Sequence, residues 1–241
     1  MTENYKDEFI EIARIKEEFI EIARIKEEFI ANASHELKTP IASVRLAAES
    51  ALTSLERDDG MTKTFLEQIL RDSDRMNELI SDLLDLSAME SSDVFMEAFD
   101  LHDVIANEIS YLSKQNKKRI SYKKKKVEIN ANFDDISLAV KNLIKNALKY
   151  SPPEENILIQ VEENDKSVRC SFQDFGSGIS KPDQEKIFER FYRVDKGRSR
   201  KVGGTGLGLA IVKHALDRNN AVIEIVSELD YGSTFTIVFE K

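Results

Sequence analysis

The first 90 residues contain a single proline, Pro40, and a single glycine, Gly60. Good helix formers dominate that stretch, and its apolar residues return at helical spacing. Such a segment has few ways to fold other than as long helices. Two are predicted, with Asp58, Asp59 and Gly60 as the turn between them and Thr62 as the cap of the second. In the second helix Ile69, Met76 and Leu83 lie seven apart, as do Leu79 and Leu86. That spacing is the seam of a bundle. A hairpin with such a seam needs a partner, and two of them make a four-helix bundle, so a homodimer is expected.

The N-terminus is repetitive. DEFIEIARIK (7–16) is followed by EEFIEIARIK (17–26), and EEFIANASHE (27–36) opens a third copy. Ten residues per repeat is about 3.3 per turn, shorter than the 3.5 of a left-handed coiled coil. Phe9, Phe19 and Phe29 therefore drift around a straight helix. Near-identical copies fit a recent duplication and an engineered leader equally well. Physically the segment reads as a long amphipathic, coiled-coil-like helix.

From residue 91 the character changes. The remaining eight glycines, three prolines and several short β-branched runs lie beyond that point, and the boundary is placed at 91–99. Helices are predicted over 99–112, 135–150, 181–188 and 206–218. Strands are predicted over 123–129, 157–161, 168–172, 221–226 and 233–239, the last two as a closing hairpin. The sum is an α+β multidomain chain: a helical hairpin, then an α/β sandwich of one sheet and one helical layer. The domains are drawn as 1–26, 27–92 and 93–241.

Composition removes several function classes. Lys+Arg number 35 against 44 Asp+Glu, a net charge of −9, which disfavours a general nucleic-acid binder. Lys123–Lys126, with Lys117, Lys118 and Arg119, read as a solvated strand edge or loop. No apolar run approaches the roughly 20 residues of a membrane span, and MTENYKDEF lacks the basic start and apolar centre of a signal peptide. A lone cysteine, Cys170, and three histidines leave no disulfide and no rich metal cluster. The expected location is cytoplasmic, as a free protein or as the cytoplasmic portion of a membrane sensor.

The sharpest feature of the first half is HELKTP (35–40). His35 sits inside a helix after small residues, where a solvent-facing neutral imidazole is a nucleophile. Glu36 is long enough to reach the other ring nitrogen, fix the tautomer and offset the charge that develops on attack. Thr39, one turn on, carries a hydroxyl that can orient a water beside the ring. Pro40 removes the donor that would reach the Glu36 carbonyl, so a bend is expected there.

Four segments of the second half point to a nucleotide. In NLIKNALKYS (142–151), Asn142 and Asn146 are i and i+4, so both amides share a face. Amide oxygens suit a hard cation such as Mg²⁺. In DFGSGI (174–179), Asp174 ends a strand, where a carboxylate can accept from an adenine amino group. Gly176 and Gly178 allow the tight turn that brings a base to the backbone. FERFYRVD (188–195) and KGRSRKVGG (196–204) read as an aromatic turn and a basic lid, with Arg193, Arg198 or Arg200 closing on phosphates. In GGTGLGLAIVKHAL (203–216), Gly204, Gly206 and Gly208 lead into a helix whose free N–H groups and dipole face an anion.

HELKTP followed by these four segments, in this order, resembles the phosphoacceptor motif and the N, G1, F and G2 boxes of sensor histidine kinases. The resemblance covers roughly residues 27–240. It implies a Bergerat-type ATP-binding sandwich and an obligate dimer through the hairpin. It implies Asn142 and Asn146 at Mg²⁺ and phosphate, Lys149 near phosphate and Tyr150 against the base. Asp174 falls on the adenine amino group, with Gly176 and Gly178 shaping that pocket. Gly204, Thr205, Gly206, Leu207 and Gly208 fall in the lid and phosphate segment. His35, Glu36 and Thr39 carry the chemistry. ATP with Mg²⁺ would phosphorylate His35, the phosphoryl group would pass to an aspartate of a response-regulator receiver domain, and Thr39 would hold the water that later removes it. Two departures stand out. Phe175 occupies the place where the family usually has Asn, and Asn219, Asn220 and Ala221 replace the usual His-Gly-Gly. Asn can take the left-handed turn that glycine prefers. Two other readings compete: an ATPase of the same fold, as in gyrase or heat-shock chaperones, and a dimer module that binds nucleotide without catalysis.

Overall fold

The computed structural model describes residues 2–57, 60–194 and 204–241; of 2–13, 15, 18, 19, 21 and 22 only the helical backbone is described. The predicted turn residues Asp58 and Asp59 lie outside the described residues. So do the lid residues 196–203, with Arg198 and Arg200, and the side chains of Phe9 and Phe19 that would report the ten-residue phase. The chain divides into two compact units, 1–76 and 77–241.

The first unit is built from α1 (Thr2–Arg57) and the N-terminal half of α2 (Thr62–Ser91). α1 continues through Pro40. The Phe65 N–H donates to the Met61 carbonyl, so Met61, and not Thr62, takes the capping position. Thr62 sits in the first turn and donates its hydroxyl to Ser54, which is buried. Ser43 of α1 donates to Asp72 Oδ2 of α2 at 2.6 Å and fixes the register of the two helices, and Gln68, one turn earlier on α2, donates to the same oxygen at 2.8 Å. Ile41, Leu46, Leu52, Leu55, Leu66 and Leu70 of this unit remain exposed.

In the second unit the C-terminal half of α2 is followed by β1 (Glu97–Asp100), α3 (Leu101–Tyr111), α4 (Lys114–Lys118), β2 (Ile120–Tyr122), β3 (Glu128–Ala131) and α5 (Phe133–Tyr150). Then come β4 (Ile157–Glu163), β5 (Ser167–Asp174), α6 (Lys181–Gln184), a 3₁₀ turn (Lys186–Phe188), α7 (Gly208–Arg218), β6 (Ala221–Glu228) and β7 (Gly232–Glu240). Two sheets form where one was expected. β1 pairs antiparallel with β3, and the larger sheet runs β2-β4-β5-β7-β6, with only β2–β4 parallel.

Of the strand predicted over 123–129 only 128–129 is extended, at the start of β3; 123–127 connect it to β2, which precedes the predicted span. The helix predicted from Phe99 starts at Leu101. Asp100 explains both corrections: its carboxylate accepts from the His102 N–H, capping α3, and from the Val127 N–H, fixing the connection to β3.

β5 alternates strictly. Val168, Cys170, Phe172 and Asp174 are all buried, so the pleat that places three core side chains also carries the carboxylate to the strand end. α5 and α7 cover one face with Ile136, Val140, Leu143, Ile144, Ile211, Val212 and Leu216. Asn132 caps α5 by accepting from the Asp135 N–H.

Candidate active site

His35 is exposed on α1, and its ring has no hydrogen-bond partner among the described residues. Its carbonyl accepts from the Thr39 hydroxyl at 3.3 Å, so Thr39 lies over the same turn. Glu36 does not reach the imidazole here. Its carboxylate pairs with Arg75 of α2 at 2.9 Å, both side chains being less than a third exposed. The expected reach to the ring nitrogen is not made, because the antiparallel α2 supplies a guanidinium at this position.

The nucleotide segments converge within the second unit. Asn142 is buried, donates to the Leu138 carbonyl at 2.9 Å, and presents Oδ1 2.9 Å from where a Cβ on Gly208 would sit. Asn146, one turn on, is half-buried with no partner among the described residues. Lys149 Nζ lies against Gly204, occupying the space a Cβ would need, and stands 5.4 Å from the Tyr150 ring centroid. α5 therefore faces the N-terminus of α7, where Leu207 provides no side-chain cap. The first N–H groups of that helix are left to an anion.

Asp174 accepts from the Gly176 N–H at 2.9 Å. Burial pushes its carboxyl above the usual range, while hydrogen bonds from Gly176 and Ser233 draw it back. Gly178 has φ of +65°, and a Cβ there would overlap the Glu228 carbonyl. Only glycine serves that turn. Gly206, at φ +75°, likewise lies under Phe191, whose N–H donates to its carbonyl at 2.9 Å.

Three predicted residues sit differently from a simple cradle. Thr205 is buried and donates its hydroxyl to Asp82 Oδ2 at 2.5 Å while accepting from the Leu207 N–H. The Leu207 side chain is fully buried, its N–H is held by Thr205 Oγ1 and its carbonyl accepts from the Ile211 N–H. Arg193 is half-buried beyond the aromatic turn.

Sequence reasoning missed Asp82, buried at 7% exposure with its carboxyl pushed upward by desolvation. It stands three residues after Leu79 and four before Leu86, and a carboxylate inside an apolar seam was the available signal. It also missed Arg119, treated below, and Asn219. Asn219 takes no special turn. It is buried, donates to Asp135 and to the Ala215 carbonyl, and accepts from the Asn132 N–H. The left-handed turn falls on Asn220, at φ +51°.

Two family descriptions match this chain: "His Kinase A (phospho-acceptor) domain" over residues 25–92 and "Histidine kinase-, DNA gyrase B-, and HSP90-like ATPase" over residues 131–241. The chain belongs to the sensor histidine kinases. Family relatives include the sensor-like histidine kinase SenX3 of Mycolicibacterium smegmatis, 35% identical over 219 residues, covering 86% of this chain and 55% of the relative. The phosphate regulon sensor protein PhoR of Pseudomonas aeruginosa is 37% identical over 217 residues, covering 87% and 48%. The chain spans about half the length of these curated relatives. Among solved structures, histidine kinase ThkA in complex with response regulator protein TrrA shares the fold at a TM-score of 0.69 and 19% identity, over 89% of this chain and 61% of that one. Acinetobacter baumannii histidine kinase AdeS shares it at 0.63 and 22%, over 86% and 97%. No helix among the described residues is long and apolar enough to cross a membrane.

Proposed function

We propose that the chain is the catalytic core of an ATP-dependent protein histidine kinase that phosphorylates His35 and passes the phosphoryl group to a receiver-domain aspartate of a response regulator. The observation that carries this is the pairing, in one chain, of an exposed, unpartnered imidazole on α1 with an uncapped helix N-terminus facing Asn142, Asn146 and Lys149. The domain division follows as a signalling helix over 1–26, a phosphoacceptor hairpin over 27–92 and a catalytic domain over 93–241.

In this reading Asp174 accepts from the adenine amino group and Tyr150 borders the base. Gly176 and Gly178 shape that pocket, and Lys149, Arg193, Gly204, Gly206 and the α7 N–H groups hold phosphates. Thr205 contributes main chain only, since its hydroxyl is held by Asp82, and Leu207 anchors the segment with its side chain in the core and its N–H on Thr205 Oγ1. The unpartnered Asn146 amide and the Asn142 oxygen fit a hard cation at this face. Mg²⁺ held there by the Asn142 and Asn146 oxygens would supply positive charge to offset the charge that develops on the phosphates. His35 attacks the γ-phosphorus with a ring nitrogen, the bond to the ADP oxygen breaks, and the ring N–H proton needs an acceptor. Glu36 supplies one once its pairing with Arg75 is released. Removal of phosphate from the receiver aspartate, with Thr39 orienting the water, is the second activity of this reading.

The exposed leucines and isoleucines of α1 and α2 fit a homodimer that buries them. A cytoplasmic location belongs to this reading too, as a free protein or as the cytoplasmic portion of a membrane sensor. Incubation with γ-labelled ATP and Mg²⁺ tests the core claim. Label should be acid-labile and alkali-stable, as a phosphoramidate is, and absent from His35→Ala and Asn146→Ala. Nucleotide bound without any label on the parent chain would refute the kinase and favour a non-catalytic module.

A further inference from the structure

Arg119 lies in a lysine-rich stretch that reads as a solvated strand edge or loop, yet all three nitrogens of its guanidinium donate hydrogen bonds. Nη1 donates to the Leu148 carbonyl at 3.2 Å, Nη2 to the Ser151 and Pro152 carbonyls at 3.3 and 2.7 Å, and Nε to the Glu155 carbonyl at 3.2 Å. Its own carbonyl accepts from the Ile157 N–H at 2.7 Å. One side chain thus ties together the end of α5 and the loop into β4.

That helix end is a wall of the nucleotide site. Lys149 and Tyr150 occupy its last turn, whose carbonyls have no partner within the helix. The buried Ser151 Oγ accepts from the Phe175 N–H at 3.0 Å, next to Asp174. Gly176 packs so closely on the Tyr150 carbonyl that a Cβ would overlap it. The turn after Asp174 is therefore seated on the same helix end that Arg119 holds. A cation at a helix C-terminus also favours the dipole. Lysine would offer a single ammonium where the planar fork reaches several carbonyls at once.

We propose that Arg119 is a positioning residue for nucleotide binding: through the α5 C-terminus it sets Lys149, Tyr150 and the Asp174–Gly176 turn in the geometry that receives the base and phosphates. The inference rests on the nucleotide site proposed above.

The test uses the full chain. ADP affinity is measured by calorimetry, and the ATP dependence of His35 labelling gives a half-saturating concentration and a maximal rate. Arg119→Ala should weaken ADP binding and raise the half-saturating ATP about ten-fold, the equivalent of one lost positioning hydrogen bond. The maximal rate should stay within about two-fold, since phosphoryl transfer itself does not involve this side chain. Arg119→Lys should fall between the two. A purely structural role would lower the maximal rate with the folded fraction and leave half-saturation unmoved, and that result overturns the proposal. Wild-type ADP affinity in both Arg119 variants, with binding lost in Asp174→Asn, overturns it while leaving the site intact. Absence of ADP binding by the parent chain overturns both. Should Arg119→Ala fail to fold, the affinity of Arg119→Lys against the parent decides.

Discussion

Replacing Asn219 with alanine tests the least expected interaction at the domain core. Asn219 is 5% exposed. Its amide donates to Asp135 Oδ2 at 3.0 Å and to the Ala215 carbonyl at 2.7 Å, and accepts from the Asn132 N–H at 2.5 Å. Alanine strands two of these partners: the N–H of the α5 cap residue and a carbonyl in the last turn of α7. Each buried orphan costs about 1–3 kcal/mol. Asp135 keeps its ion pair with Arg218 at 3.0 Å, so no charge is left alone. Two orphans at the lower end, plus the lost bond to a charged acceptor, give about 3 kcal/mol. Urea denaturation of the full chain should show this as a lower midpoint with unchanged slope. Hydrogen exchange at 132–136 should report the same loss locally. A cost under about 1 kcal/mol with normal protection at 132–136 would mean that water replaces the amide, refuting the accounting.

Two further outcomes follow from the buried carboxylates. Asp82 has its carboxyl raised in the folded state, mainly by desolvation and against the Thr205 hydrogen bond; the folded state therefore holds the proton more tightly, a contribution present at low pH and lost as pH rises through the raised value. Thr205→Val removes the bond that favours the ionised form, so its stability cost, about 1–2 kcal/mol, should shrink as pH is lowered from 8 and Asp82 takes up its proton in urea titrations; a cost that grows on acidification would contradict the geometry. Asp174 is also raised by burial, so nucleotide affinity measured against pH should fall on the acid side above the ordinary aspartate range, as protonation removes an acceptor from the adenine amino group, and an affinity flat down to pH 4 would count against Asp174 as the adenine partner.

Much of the chain follows from its sequence alone. The near-absence of glycine and proline before residue 91 leaves helix as the only regular structure compatible with that apolar spacing, and two long helices form. The alternation in β5 and the amphipathic face of α5 define their buried sides, because side-chain period is a local property of backbone geometry. The segments read as a nucleotide site stand out for the same reason, since glycine-rich turns and i, i+4 amides are short-range patterns.

What only the tertiary structure decided are the long side chains with more than one reachable partner. Glu36 pairs with Arg75 and not with His35. Thr205 reaches Asp82 across 123 residues of sequence. Arg119, one cation among many, leaves the solvated surface to cap α5. Asn219 serves as a buried bridge, and its neighbour Asn220 makes the turn. Asp100 holds the Val127 N–H, so that β3 begins only at Glu128, near the end of the expected strand. Each choice is set by which acceptor or donor is left unsatisfied once the chain has folded. Burial makes an unpaired polar group costly, and sequence distance carries no information about which group that will be.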